Sequence, residues 1–252
     1  MLASETVAPP DVEAFIARWR DSGGAERANY ALFLTELCDV LRVPHPDPST
    51  PDNAQNAYVI DRSITRRKAD GTHATVYADC YKRGCFILET KQGTVEAASS
   101  RLSNTSSKRL EGASTVTRRG HGVRHSPTWD IALERAYHQA AGYIRDLPAG
   151  EGRPPFLIVC DVGYVIELYS EFTCTGGSYV AFPDPRSRRI YLEDLRDAAI
   201  RERLRLVWTD PQALDPSRHA AKVTREVAEH FARLAKSLEA DGHDAFTIAT
   251  FL

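Results

Sequence analysis

A short apolar segment of this chain carries an acid and a base on one face. Residues 86–91 read Phe-Ile-Leu-Glu-Thr-Lys. Because side chains alternate along a strand, Ile87, Glu89 and Lys91 point to the same side. Charged side chains are rarely buried unless they are paired or functional. The pattern therefore predicts a strand of a buried sheet whose charged pair has a structural or chemical role.

A second acid lies ten positions before Glu89. Asp79 belongs to residues 75–81, which read as an incoming strand, and residues 82–84 form a plausible tight turn that ends in a glycine able to take positive φ. This hairpin places Asp79 nearly opposite Ile87, with diagonal neighbours about 7–8 Å apart. One hard divalent cation can bridge that separation with an oxygen from each carboxylate and several waters, and Mg²⁺ is the expected metal.

The combination of two carboxylates and a lysine favours phosphodiester hydrolysis. A cation held by Asp79 and Glu89 could orient a water, promote its deprotonation and neutralise charge that builds on a scissile phosphate. Lys91 lies two residues beyond Glu89 on the same face, where it could hold the attacking water or meet the phosphate as a point charge.

The spacing Asp-x(9)-Glu-x-Lys resembles the core of PD-(D/E)xK nucleases. The wider sequence is similar to the N-terminal part of MmeI-like type IIL restriction-modification enzymes, and the similarity covers nearly the whole chain. Ala78 stands where the superfamily often has proline, a departure that leaves the acidic ligand in place. Besides the hairpin, the segments that carry the resemblance are residues 25–38, 139–143, 154–159, 208–211 and 214–216.

The resemblance implies an α/β fold, with a restriction-endonuclease-like core in which a central mixed sheet is flanked by helices, and a C-terminal helical extension. It also implies a Mg²⁺-dependent DNA endonuclease domain. Asp79 and Glu89 would hold the metal, and Lys91 would position water or phosphate. These assignments agree with the chemistry expected from the residues themselves.

Three further residues receive roles from the resemblance. Glu26 on the first core helix would complete the metal shell, Gln139 would orient water, metal or Lys91, and Tyr143 would contact the DNA backbone. Gln139 and Tyr143 lie four residues apart and so share a helix face. Ordinary explanations stay open, because acids are favourable at any helix N-terminus and amphipathic helices commonly carry an edge glutamine and a half-buried tyrosine.

A long segment, residues 92–126, is rich in Ser, Thr and Gly and has no periodic apolar pattern, which predicts a mobile insertion. Its basic residues are opposed mainly by Glu111. We interpret the segment as a DNA-clasping loop that neutralises phosphates, with Arg118, Arg119 and Arg124 as DNA contacts. The alternative is a solvated insertion without a partner.

A structural zinc site is a competing interpretation, since Cys80-x(4)-Cys85 and His121-x(3)-His125 have tolerable spacings. It is disfavoured because the hairpin already accounts for the two cysteines and because the histidines fall in the insertion.

The remaining pattern predicts helices before and after the sheet. Periodic apolar residues and turn signals give the following elements in chain order: two N-terminal helices, strands at 57–60, 75–81, 86–91, 156–160 and 164–169, a helix opened by Ser126 and Pro127, and helices at 193–207 and 216–238. We expect an endonuclease domain over residues 1–190 and the start of a helical connector over residues 191–252.

Composition and compartment agree with a globular nuclease. The chain has 252 residues, 42% of them hydrophobic and 26% charged. A net charge of −2 argues mildly against a free-standing DNA-binding domain, but less against a nuclease tethered to a recognition module. The cysteines form no disulfide-like framework and residues 1–10 lack a signal peptide, so a cytoplasmic location is expected, and the resemblance implies a prokaryotic cell. The most apolar run, 156–169, is too short to cross a membrane.

Relatives continue into a helical spacer, an adenine methyltransferase that uses S-adenosylmethionine, and a target-recognition domain. The sequence has neither the glycine-rich loop nor the Asn-Pro-Pro-Tyr motif of such a methyltransferase. We therefore expect a fragment that cuts weakly and without sequence specificity. Its expected partners are double-stranded DNA, the domains it lacks and a second copy that pairs transiently on DNA.

Two other functions stay open. The chain could be a catalytically silent nuclease-fold module that docks or binds DNA in a phage-defence methyltransferase. It could also be an adaptor in which Glu89 and Lys91 form an ordinary ion pair on a solvated strand; this alternative predicts no binding of divalent ions.

Overall fold

A mixed sheet of seven strands organises the protein. The computed structural model describes residues 11–20, 22, 26–93 and 123–242, except for the side chains of residues 26–28 and 219. In chain order the elements are α1 (Val12–Arg20), α2 (Glu26–Leu41), β1 (Tyr58–Arg67), β2 (His73–Lys82), β3 (Phe86–Lys91), α3 (Pro127–Asp146), β4 (Phe156–Asp161), β5 (Val165–Ser170), β6 (Val180–Ala181), β7 (Arg189–Tyr191), α4 (Ala198–Thr209) and α5 (Pro216–Ala240). The predicted α/β class with a mixed sheet, flanking helices and a C-terminal helix is confirmed.

The strand order is β1-β2-β3-β4-β5-β6, and β7 also pairs with β5. Strands β3 and β4 are parallel, whereas the other described pairs are antiparallel. A parallel pair needs a long crossover connection, and α3 lies within it. The crossover places α3 directly after the strand that carries Glu89 and Lys91.

Apolar residues cover both faces of the sheet. On one face, residues of α1, α2 and α4 pack against Phe86, Leu88 and Ile158. On the other face, α3 packs against Ile87 and Leu157. This two-sided burial explains why β4 is buried along its whole length and reads as an uninterrupted apolar run.

The core also includes residues from beyond position 190. Trp208 on α4 is buried, and its ring lies 4.4 Å from that of Phe86, centroid to centroid. Leu204 and Val207 are buried beside it in the same cluster. By contrast, α5 exposes a row of apolar side chains, namely Val223, Val227, Phe231 and Leu234.

Local signals predicted several boundaries correctly. Ser126 caps α3 by accepting a hydrogen bond from the backbone N–H of Trp129, and Pro127 occupies the first turn. Gly84 has a φ of 71° in the β2–β3 turn, where a residue with a Cβ would be strained.

The predicted register of this hairpin was wrong. Tyr81 pairs with Ile87 and Cys80 with Leu88, because residues 83–85 form the turn instead of the predicted residues 82–84. Continued in the same register, Asp79 comes opposite Glu89 rather than Ile87.

Other elements differ from the prediction for local reasons. Strand β1 runs on to Arg67 because β2 pairs with it over that length. The predicted helix 193–207 divides into a 3-10 helix, Leu192–Arg196, and α4, because Asp197 caps a new helix by accepting from the N–H of Ala199. Strands β6 and β7 were missed because they have two and three residues. Within the described residues, no helix is long and apolar enough to span a membrane.

Candidate active site

The sheet opens at the acidic residues of the hairpin. The β2–β3 ladder ends at the pair Cys80 and Leu88, whereas β2 continues to pair with β1 as far as His73. The β1–β2 hairpin therefore separates from β3 at Asp79. An opening between two neighbouring strands exposes backbone groups, so side chains must satisfy them.

A cavity of about 630 Å³ lies at this opening. It brings together five residues that the sequence predicted and three that it did not. The lining residues are Tyr30, Asp61, Tyr77, Asp79, Glu89, Lys91, Gln139 and Tyr143.

Asp79 is held by Thr90 across the opening. Its Oδ2 accepts hydrogen bonds from the backbone N–H and from the Oγ1 of Thr90, each at 2.6 Å. Hydrogen bonds to an ionised carboxylate are about twice as strong as neutral ones. Oδ1 accepts no hydrogen bond from the described residues. The carboxylate is thus fixed through one oxygen, while the other is left for the cavity.

Glu89 and Lys91 share the face predicted by strand alternation. Glu89 is only 2% exposed, and its Oε1 accepts a hydrogen bond of 2.8 Å from Lys91 Nζ. The same Nζ donates to the backbone carbonyl of Thr90 at 2.7 Å. A buried carboxylate needs such charge compensation. Since both acceptors fix the ammonium, Lys91 is held beside Glu89 in the cavity that Asp79 also lines.

Gln139 and Tyr143 contribute the α3 wall of the cavity. Gln139 Nε2 donates to Tyr143 Oη at 2.6 Å. Burial, followed by the nearby negative charge of Glu89, raises the pKa of Tyr143. The guanidinium of Arg66 lies 5.4 Å from the centre of the Tyr143 ring. The phenol therefore stays protonated at neutral pH and is packed in one orientation.

Asp61 and Tyr30 are cavity residues that sequence reasoning missed. Asp61 falls between Ile60 and Arg62, which pair with Cys80 and Ala78, and so it lies opposite Asp79. Its φ is 53°, a conformation in which aspartate is enriched among non-glycine residues.

Tyr30 on α2 connects this acid to the opposite face of the sheet. Its Oη donates to Asp61 Oδ1 at 2.7 Å. Burial and the bond to Asp61 raise the pKa of Tyr30. The sequence signal for this pair was Asp61, an acid that interrupts the apolar start of β1. That signal did not indicate Tyr30 as its hydrogen-bond partner.

Comparison with protein families matches residues 9–241 to the family described as "MmeI, N-terminal domain". The chain belongs to this family. The match confirms the predicted resemblance and relates the chain to the N-terminal region of MmeI-like restriction enzymes. No curated protein and no solved structure matches it.

The remaining predicted residues of this MmeI N-terminal domain fall into two groups. Glu26 is the first residue of α2, but its side chain lies outside the described part of the structure. Arg118 and Arg119 lie in residues 94–122, also outside it. Their roles, and the mobility predicted for the insertion, stay predictions.

Arg124 has a different environment from the one predicted. It is buried, and its Nε and Nη2 donate to the two carboxylate oxygens of Asp161 at 3.1 and 3.0 Å. Trp129 Nε1 and the N–H of Gly93 also donate to Asp161. Asp161 is 0% exposed and needs these donors. Arg124 therefore serves as the structural counter-ion of Asp161, and these contacts give no support to its predicted role as a DNA contact.

The zinc interpretation is not supported by the described residues. Cys80 and Cys85 are buried, and burial raises the pKa of both thiols, which disfavours the thiolate that a metal needs. His125 forms a short hydrogen bond with Tyr164, and His121 lies outside the described residues. Among the residues the structure describes, no group of three or more His, Cys, Asp or Glu side chains is arranged to hold a metal ion.

Proposed function

We propose that this MmeI N-terminal domain is a Mg²⁺-dependent endonuclease that hydrolyses phosphodiester bonds of double-stranded DNA. The observation that carries the proposal is the convergence of Asp79, Glu89 and Lys91 in one open cavity, with Asp79 oriented by Thr90. A purely structural ion pair of Glu89 and Lys91 would not require a fixed carboxylate beside it.

The donor set suits magnesium more than a metal that needs a preformed protein cage. Mg²⁺ takes oxygen ligands and is commonly held by one or two carboxylates together with waters and substrate phosphates. Asp79 and Glu89, which line the same cavity, would be those carboxylates. When bound, the cation would neutralise charge at the scissile phosphate and make a water more acidic.

Lys91 would meet the phosphate or hold the attacking water. Its ammonium is held by Glu89 Oε1 and the carbonyl of Thr90, so it reaches the substrate already oriented. A positive charge fixed in advance stabilises the negative charge that develops in the transition state without a cost of reorganisation. The positions of Glu89 and Thr90 thus support a catalytic role for Lys91.

Tyr143 and Gln139 would contact the DNA beside the reacting bond. Because Tyr143 Oη accepts the bond from Gln139 Nε2, its own proton is available as a donor. Phosphate oxygens are the usual acceptors for such a phenol in protein–DNA complexes. Gln139 would therefore act mainly by orienting Tyr143.

The proposal also includes the other domains of an MmeI-like enzyme and a second copy of the nuclease domain. Sequence recognition and adenine methylation, with S-adenosylmethionine, would reside in methyltransferase and target-recognition domains of an MmeI-like enzyme. One cavity of this kind cuts one strand, so a second copy on DNA would cut the other.

Nicking of supercoiled plasmid in the presence of Mg²⁺ tests the proposal. Asp79→Ala and Lys91→Ala are each expected to lower the nicking rate at least about 100-fold, since each removes several kcal/mol of charge stabilisation. The matched control Asp184→Ala changes an exposed acid in the turn after β6 and should nick like the wild type. Equal nicking by all four proteins would remove the proposed active site, and no nicking by the wild type would favour the catalytically silent DNA-binding or docking module.

A further inference from the structure

The β1–β2 hairpin continues past the sheet opening as a two-stranded arm. We define the arm as residues 62–78. Its strands stay paired from Arg62 and Ala78 to Arg67 and His73, and its turn is closed by a 2.8 Å hydrogen bond from the N–H of Lys68 to the carbonyl of Thr72. At about 3.3 Å per residue, the arm extends roughly 20 Å from the acidic residues of the cavity.

One face of the arm is held against α3. Ile64 and Ala78 are buried and, with Val76, belong to the apolar cluster that α3 covers. Arg66 Nε donates to Asp146 near the end of α3 at 2.6 Å. These contacts fix the direction of the arm relative to the cavity.

The outer face of the arm is polar. It consists of three cross-strand pairs, Ser63 with Tyr77, Thr65 with Thr75, and Arg67 with His73. Five of these side chains are exposed and Ser63 is half-buried. Tyr77 is 55% exposed and also lines the cavity, so the outer face leads directly to the candidate active site.

The charge of the outer face is positive and its donors are hydroxyl groups. Arg67 lies at its far end, followed by Lys68 in the turn, whereas the one acid among residues 62–78, Asp70, accepts two hydrogen bonds from Thr72. This pattern contrasts with the net charge of −2 of the whole chain. Long-range attraction to a polyanion must therefore come from local surfaces such as this one.

We propose that the outer face of the arm binds the phosphate backbone of duplex DNA on one side of the scissile bond. Serine, threonine, tyrosine and arginine side chains supply most protein–phosphate hydrogen bonds in DNA complexes, and a two-stranded ribbon is narrow enough to follow a groove. Tyr77 contacts the backbone at the cavity. Arg67 lies four positions beyond Ser63, the cross-strand partner of Tyr77, and contacts the backbone about 13 Å further along the arm.

This inference rests on the proposed function, because it takes duplex DNA as the substrate of the adjoining cavity. Two measurements separate binding from cleavage. The affinity for a fluorescein-labelled DNA duplex is measured in Ca²⁺ over a series of NaCl concentrations, and the rate of nicking is measured in Mg²⁺. The full 252-residue chain is compared with Arg67→Glu and with the double variant Thr65→Ala/Thr75→Ala. The control Arg186→Glu changes an exposed arginine at the opposite edge of the sheet.

Arg67→Glu is expected to weaken duplex binding about tenfold at 0.1 M salt and to lower the slope of log affinity against log salt by about one, as for one lost phosphate contact. The double threonine variant should lower the affinity with little change in slope, because hydroxyl groups release no counterions. Arg186→Glu should bind DNA less than twofold differently from the wild type. Circular dichroism melting checks that each variant is folded.

Unchanged affinity and slope in both arm variants would overturn the inference, as would a wild-type chain that does not bind the duplex. If wild-type nicking were still abolished by Asp79→Ala, the proposed function would survive that result. Weakened binding by the arm variants in a chain that never nicks DNA would instead support the arm and refute the nuclease.

Discussion

Replacing Arg124 by alanine should destabilise the fold strongly rather than weaken DNA binding. Among the residues that the structure describes, the substitution leaves the fully buried Asp161 carboxylate with two donors, the Nε1 of Trp129 and the N–H of Gly93, and without a counter-ion. Removing one partner of a buried ion pair costs about 3–5 kcal/mol. Because domains of this kind are stable by about 5–15 kcal/mol, about a fifth or more of the free energy of unfolding would be lost.

Urea unfolding followed by far-ultraviolet circular dichroism measures this loss. Arg186→Ala, at an exposed arginine, is the matched control and should change the free energy of unfolding by less than about 0.5 kcal/mol. The double variant Arg124→Met/Asp161→Leu removes both charges and should recover most of the stability, because no buried charge is left uncompensated.

The reasoning would be refuted if the free energy of unfolding of Arg124→Ala lay within about 0.5 kcal/mol of that of the wild type. A weaker affinity for DNA with unchanged stability would return Arg124 to the role first predicted from its position in a basic segment. A double variant as unstable as Arg124→Ala would show that packing rather than charge accounts for the loss.

Three further results are expected. Thr90→Val removes the hydroxyl donor to Asp79 and should slow plasmid nicking about tenfold, whereas Thr90→Ser should retain most of the rate. Equal nicking rates for the two variants would show that the Thr90 hydroxyl does not orient Asp79. Burial and the bond to Glu151 raise the pKa of Tyr81 above its usual 10.0. The protonated phenol therefore stabilises the fold fully below pH 10, and this contribution is lost as the pH rises towards the folded pKa. Urea unfolding above pH 10 should show a fall in the free energy of unfolding that is smaller in Tyr81→Phe than in the wild type. Burial raises the pKa of the Cys80 thiol, so a thiol reagent at neutral pH should label the half-buried Cys174 before Cys80, as mass spectrometry of the native protein can show.

Local chemistry determined the parts of the fold that the sequence predicted. A cap such as Ser126 before a proline, or Gly84 in a tight turn, acts within a few residues and needs no knowledge of the rest of the chain. The shared face of Glu89 and Lys91 follows from strand alternation alone. The prediction of a metal-dependent active site from Asp79, Glu89 and Lys91 used only such short-range rules and a family resemblance.

Long-range pairing determined what the sequence did not predict. The bond from Tyr30 to Asp61 joins residues 31 positions apart, and the Arg124–Asp161 pair joins residues 37 positions apart. Neither pairing leaves a periodic pattern in the sequence. The hairpin register depended on which three residues form the turn, 82–84 as predicted or 83–85 as observed, and a glycine common to both does not decide between them. Composition alone likewise made Arg124 look like one more basic residue of a solvated loop.

The central claim is that the cavity between β2, β3 and α3 cleaves DNA with the help of Mg²⁺. Asp79→Asn tests it most directly, because the amide keeps the size of the side chain and an oxygen that can accept from Thr90 while removing the charge that would hold the metal. The measurement is the rate of plasmid nicking across a Mg²⁺ titration. We predict nicking that rises with Mg²⁺ in the wild type and is at least about 100-fold slower in Asp79→Asn. Equal rates in the two proteins, or nicking that is independent of Mg²⁺, would contradict the account.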